Sequence, residues 1–451
     1  MRLFLYFIIS IILYCFASEE FNHTYAVITM IIFLLCCSYV YRRHHKTIEI
    51  LSFFTIFSLS FFLCNFLYPV FVFPYYPMQI VFSEEFDEKY IMTGETLAAV
   101  GYACFALGMN LYLNKKSKYI NKTNTFKFKN SLKWSFYIVF LLYFGFIFLL
   151  RFLDYSGYNA IITSSFILTL ISIFFIIYTL YFLNVFSKEK HLKILKILWK
   201  NKVIFLSIAI LIFILADVGD RGPIIQLILI ILFVYQVMVK RMSFRILLIL
   251  GLVGISLMVF VRNFRKDFQY ERAIEYRELK YGTILPTHID ASVDLMMASR
   301  AMYLGLDYVD RNGFLYGKTI LRDILSPIPF LPTVVYYILF KETPGQNSTG
   351  VIITNDTFSR ISISAKSYGL GTNAVVDVYM NFGLIGVIIF MGLFGWIIGI
   401  FESQKRSNIY IMCTYCVIAY LPLYIPRSTL FDIIRPIFWS YLIVKIFKSN
   451  K

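Results

Sequence analysis

Residues 203–239, VIFLSIAILIFILADVGDRGPIIQLILIILFVYQVMV, decide the fold class. Two apolar runs, 203–217 and 223–239, flank a short charged turn with Asp217, Asp220 and Arg221. A membrane-crossing helix needs about 20 mostly apolar residues. Neither run alternates with period two, as a membrane barrel strand would. Pro223 suits the first turn of a helix, where a missing N–H costs nothing. The reading is therefore a helical hairpin in lipid, with Arg221 at its tip.

Working outward, ten more runs read the same way: 3–17, 25–41, 47–68, 95–113, 134–153, 160–186, 246–262, 384–402, 409–425 and 433–447. The chain has 451 residues, of which 59% are hydrophobic and 15% charged. Soluble domains are nearer 45–50% apolar and about 25% charged. Soluble and disordered classes are thereby excluded. The expected fold is all-α, a polytopic membrane protein of about twelve transmembrane helices. The first run is expected to be retained as a span. Only Arg2 precedes it, and Cys15-Phe16-Ala17 is a poor cleavage site.

The net charge of +17 raises the question of nucleic acid, and the placement of the charges answers it. With twelve spans both termini share a side. The loops on that side hold 25 of the 43 Lys and Arg but only Glu49, Glu189 and Glu402 among the acids. One face thus carries +22 and the other −5. Short basic loops stay in the cytoplasm, so both termini are expected there, facing anionic lipid heads. Nucleic acid is not an expected partner. The seven cysteines (15, 36, 37, 64, 104, 413 and 416) all fall within apolar runs, so no disulfide framework is implied. The CxxC spacing of Cys413 and Cys416 reads as packing residues of an apolar helix.

The expected domains are 1–262 with nine spans, one large external loop at 263–383, and 384–451 with three spans. A loop of that length is expected to fold. Residues 289–307 place Val293, Met296, Met297, Ala301 and Leu304 near one helical face. Residues 267–281 read as a charged amphipathic helix. The apolar stretch 324–340 is interrupted by Pro327, Pro329 and Pro332, so it is expected to lie on or dip into the membrane surface. The spans hold few charges, with Glu95 and Arg435 near external ends, unlike a transporter's relay. The polar chemistry concentrates outside. Arg221, Arg262, Arg265, Arg300, Arg360, Lys366 and Arg427 are external cations suited to gripping phosphate. His288, Asp290, Asp294 and Asp377 are candidate bases. No HExxH, GxSxG, Walker or metal-ligand pattern occurs, so neither metal nor cofactor is expected.

One stretch carries a resemblance. YGLGTNAVVDVYMNFGLIGVIIF (368–390) enters a span through a Gly-x-x-Gly-type turn, and Ser359-Arg360-Ile361-Ser362 and Asp220-Arg221-Gly222-Pro223 accompany it. This is similar to the bacterial Wzy-type O-antigen polymerases, whose many spans and one dominant late periplasmic loop also match. The resemblance implies an inner-membrane glycosyltransferase. It moves a growing glycan from undecaprenyl pyrophosphate to a second lipid-linked repeat unit, with its active site facing the periplasm. The implied partners are undecaprenyl-pyrophosphate-linked oligosaccharide, membrane lipids and a chain-length regulator protein. The catalytic set is then Arg221, Arg300, Arg360 and Asp294. Arg262, Arg265, Lys366, Tyr368, Asn373 and Arg427 form the pyrophosphate- and glycan-binding set. O-antigen ligases share the entry motif but usually have His directly before Asn, where this chain has Thr372. A ligase and a lipid-linked oligosaccharide flippase are the alternatives.

Overall fold

The computed structural model describes residues 2–75, 86–115, 127–150, 165–189, 197, 199–218, 221–243, 287–361 and 369–449. These residues are all-helical, 82% in helix and with no strand. In chain order the helices are α1 (Arg2–Cys15), α2 (His23–His44), α3 (Phe53–Asn65), α4 (Lys89–Lys115), α5 (Ser131–Leu150), α6 (Ser165–Glu189), α7 (Lys202–Val218) and α8 (Arg221–Met238). There follow α9 (Thr287–Asn312), α10 (Lys318–Leu325), α11 (Leu331–Phe340), α12 (Thr349–Ile361), α13 (Ala374–Gln404) and α14 (Ile409–Val417). Short turns lead from α14 through Leu430–Ile433 into α15 (Ile434–Phe447). Among the described residues, six helices are long and apolar enough to cross a membrane. The described part of each expected apolar run is mainly helical, while 246–262 and 267–281 lie outside the described residues. In the sequence of the expected large loop, 289–307 lies within α9 and the Pro-broken stretch yields the end of α10 and all of α11.

The bundle is organised by α4 and α13, which run parallel and nearly touch. A Cβ added to Gly108 would sit 1.9 Å from the Gly392 carbonyl oxygen, and one on Gly395 would sit 1.9 Å from that of Phe105. Such small residues let helix backbones approach closely where lipid supplies no hydrophobic drive between helices. Around this seam Phe54, Phe57, Phe61, Tyr102, Phe105 and Phe394 stack into a buried aromatic core.

α13 begins ten residues earlier than the span expected at 384. Asn373 caps it, its side chain accepting from the Val375 N–H at 3.0 Å. At Gly383 the chain leaves helical geometry (φ 63°, ψ −157°), so the expected loop–span boundary is a break inside one long helix. The Leu315 N–H bonds the Met380 carbonyl at 2.8 Å next to the break, and Phe314 packs over Gly383.

The two ends of α13 differ in chemistry. At its C-terminal end Lys405 and Arg406 reach the buried Glu49 and Glu402, with Lys405 Nζ–Glu402 Oε2 at 2.7 Å and Arg406–Glu49 at 2.6 Å. Arg241 joins them, 3.1 Å from Glu49. Arg43 donates to Asn114, and the Ser449 N–H to the Lys127 carbonyl. The links of Arg406 and Arg241 to Glu49, of Arg43 to Asn114 and of Ser449 to Lys127 join segments that the charge count assigned to one side.

Candidate functional site

The N-terminal end of α13 carries a polar stripe. Asn373, Asp377 and Asn381 recur at i, i+4 and i+8, so they share one face of a helix that is otherwise apolar. All three are buried. Each meets a different element. The Asn373 amide donates to Asn65 Oδ1 on α3 at 2.9 Å. Asp377 accepts from the Thr349 hydroxyl at the start of α12. Asn381 donates to Thr319 Oγ1 on α10 at 2.6 Å and to the Asp377 carbonyl at 2.7 Å. The stripe therefore docks the elements that build the site, as buried polar groups must find partners.

Next to it lies a cluster of charged residues. Arg322, on α10, donates twice to its neighbour Asp323, at 2.8 and 2.5 Å. Arg435, at the start of α15, donates to the Ser326 carbonyl at 3.2 Å, and Trp439 one turn on donates to the Pro327 carbonyl at 2.9 Å. Asp432 sits in the turn Leu430–Ile433 just ahead of Arg435. Arg322 and Arg435 are half-buried and Asp432 is exposed, and the accessible surface they flank is the candidate cleft.

The electrostatics follow from that position. Burial pushes the Asp432 carboxyl up to about 6, and the negative Asp323 adds to the push. Ser428, Arg322 and Arg435 pull it back without cancelling it. For Arg322 burial works against the charge, but Asp323, Asp377 and Asp432 outweigh it and hold its pKa above the ordinary value. The cleft so combines guanidinium groups, which grip phosphate oxygens in pairs, with a carboxyl that exchanges its proton near neutrality.

The described residues expected from sequence lie on elements other than α10 and α15. Arg221 opens α8, and His288, Asp290 and Asp294 lie in the first turns of α9. Arg262, Arg265, Lys366 and Tyr368 lie outside the described residues. Arg300 is buried on α9, beside Ser299, whose hydroxyl donates to the Cys64 carbonyl at 2.6 Å. Arg360 is engaged by Asp307 at 3.1 Å and Asp356 at 3.4 Å, and Arg311 bridges the same two carboxylates at 2.8 and 2.7 Å. Asp356 first, and Asp307 with it, raise the Arg311 pKa further. Arg427 stacks over Tyr424, 4.9 Å from the ring centre. Asn373 and Asp377 are the members of the expected set that belong to the stripe.

Sequence reasoning gave no role to Arg322, Asp323 or Asp432, and noted Arg435 only for its place near a span end. One signal was available. Asp432 and Arg435 interrupt the apolar LFDIIRPIF (430–438), and Arg322-Asp323 immediately precede the apolar 324–340. Charge bordering such segments calls for a partner.

The O-antigen polysaccharide polymerase Wzy family model matches residues 1–447. No curated protein and no solved structure matches the chain.

Proposed function

The chain belongs to the O-antigen polysaccharide polymerase Wzy family, and from that premise we propose that the cleft of Arg322, Asp432 and Arg435 is where lipid-linked repeat units are joined. The donor is the growing glycan on undecaprenyl pyrophosphate. The acceptor is a hydroxyl on the non-reducing sugar of a second lipid-linked repeat unit. The acceptor oxygen bonds to the donor's anomeric carbon as the bond from that carbon to the pyrophosphate oxygen breaks. The hydroxyl proton passes to the Asp432 carboxylate. Undecaprenyl pyrophosphate leaves with the bonding electron pair, and Arg322 and Arg435 meet the negative charge that grows on it. The energy resides in the glycosyl pyrophosphate bond, so no nucleotide sugar enters.

The observation that carries this reading is the docking of α15 on α10, where Arg435 donates to the Ser326 carbonyl and Asp432 and Arg322 stand to either side of that contact in sequence. A base works best when its pKa lies near the working pH. Arg221 and Arg300 remain proposed as further cations for the substrate, and Asp294 as a second acid–base candidate. Arg360, with two carboxylates on it, is better suited to tying α12 to α9. The stripe residues Asn373 and Asp377 position the elements around the cleft.

The proposed orientation puts the cleft in the periplasm and the Glu49–Lys405–Arg406 end in the cytoplasm. Asp377 and Lys405 are separated by about 40 Å along α13 at 1.5 Å per residue, close to the thickness of a bilayer with its headgroups. The test is purified protein in liposomes, given only lipid-linked repeat units. Chain extension is expected, and Arg322→Ala should lower it by about 10²–10³-fold while expression persists. A protein that extends nothing unless offered a different acceptor is a ligase, and the reading fails.

A further inference from the structure

α11 is the most exposed apolar element beside the cleft. Phe330, Val334, Tyr337 and Ile338, spaced i, i+4, i+7 and i+8, form one stripe, and each keeps more than half of its surface exposed. The opposite face is fixed: Pro332 and Tyr336 are buried, and the Tyr336 hydroxyl donates to the Lys318 carbonyl. No charged residue occurs between Asp323 and Lys341.

The backbone around α11 is strained. Among the described residues, the non-glycine residues with positive φ are Tyr316 (49°), Phe330 (65°) and Lys341 (55°). They precede α10, precede α11 and follow α11. Such conformations persist only where the surrounding structure over-determines them, and they cluster at functional sites. A Lys318–Glu342 ion pair at 2.8 Å clamps the start of α10 to the residue just past this segment. The helix is held in one orientation with its apolar stripe facing outward.

Its position relative to the arginines decides what it faces. Arg435 donates to Ser326, and Trp439 holds Pro327, in the connection between α10 and α11. Arg322 lies one turn before that connection. An amphiphile whose anionic head is held by Arg322 and Arg435 therefore begins its tail within a few residues of the stripe.

We propose that α11 is the docking element for the polyprenyl tail of the substrate carrier, seating the chain along Phe330, Val334, Tyr337 and Ile338 while the cleft arginines hold the pyrophosphate. This rests on the reading of the cleft given above. The test is photo-labelling of the intact protein in liposomes with a diazirine-bearing polyprenyl pyrophosphate that carries no sugar. It reads docking whether or not the protein polymerises anything. Label is expected on α11. Unlabelled polyprenyl pyrophosphate should compete it, excess phosphatidylglycerol should not, and Val334→Ser/Ile338→Ser should lower it at least tenfold. Absence of label from α11, or equal competition by phosphatidylglycerol, overturns the proposal. Chain extension on the same preparations judges the catalytic reading separately: competed label without extension sinks that reading and leaves the docking element standing.

Discussion

The Asp432 carboxyl offers the sharpest test, because its shifted pKa fixes the size of a pH effect. A base must be ionised to accept a proton. With a pKa of about 6, roughly nine-tenths of Asp432 is ionised at pH 7 and roughly one-tenth at pH 5. The rate of glycan extension should therefore fall about tenfold between pH 7 and pH 5. At the ordinary value of 3.8 the same group would stay more than nine-tenths ionised at pH 5, and the rate would hardly move. The sign for stability is opposite in sense. A carboxyl with a raised folded pKa contributes stability that is full below about 3.8 and is lost as pH rises through about 6. Falling activity at pH 5 is thus not a symptom of this group unfolding the protein. The assay is ladder formation from lipid-linked repeats in liposomes buffered from pH 5 to 8, at saturating substrate. Asp432→Asn should lower extension at pH 7 by about 10²–10⁴-fold, the range for a lost acid–base group, and erase the limb near pH 6. A variant that keeps wild-type rates, or a limb that survives the substitution, would refute Asp432 as the base.

Other expectations are separable from this one. Arg322→Lys keeps a charge but loses the two-pronged geometry, so extension should fall nearly as far as in Arg322→Ala, by about 10²–10³; near-normal rates for the lysine variant would mean that a point charge suffices. Gly395→Ala puts a methyl 1.9 Å from the Phe105 carbonyl oxygen and must spread α4 from α13. Unfolding in detergent should register a loss of about 1–3 kcal/mol, as for other overpacked interiors, and an unchanged midpoint would show that the seam yields freely. Asn373→Ala removes a cap and the bond to Asn65, and should cost about 0.5–2 kcal/mol of stability in detergent unfolding; an unchanged midpoint would show that neither bond matters. Arg311→Ala should leave ladder length unchanged, since its ion pairs with Asp307 and Asp356 are partly exposed; a lost ladder would place the α9–α12 flank in the site.

The sequence by itself determined the helices. In lipid every backbone polar group must be satisfied within its own segment, so apolar runs such as 203–217 and 384–402 leave few choices besides helix. Caps are local as well: the side chains of Asn22, Ser52 and Asn408 each accept a backbone N–H within their own helix's first turn. The loops grouped by charge, including those of Arg43, Lys46, Arg241 and Arg406, meet at one end of the bundle.

Tertiary structure alone decided the rest. Hydropathy penalises Asp377 and Asn381, so the expected span began at 384. Thr349 donates to one Asp377 oxygen and Thr319 accepts from the Asn381 amide, and helical structure extends back beyond the break at Gly383 to Ala374. Arg435 and Ser326 lie 109 residues apart in sequence, and nothing local links either to the other. A carboxyl's pKa depends on what surrounds it, and Asp432 takes its surroundings from α10 and α15 together. The chain's own pattern therefore marked arginines beside apolar segments, and only packing brought Arg435 of α15 against the connection that follows Arg322 on α10.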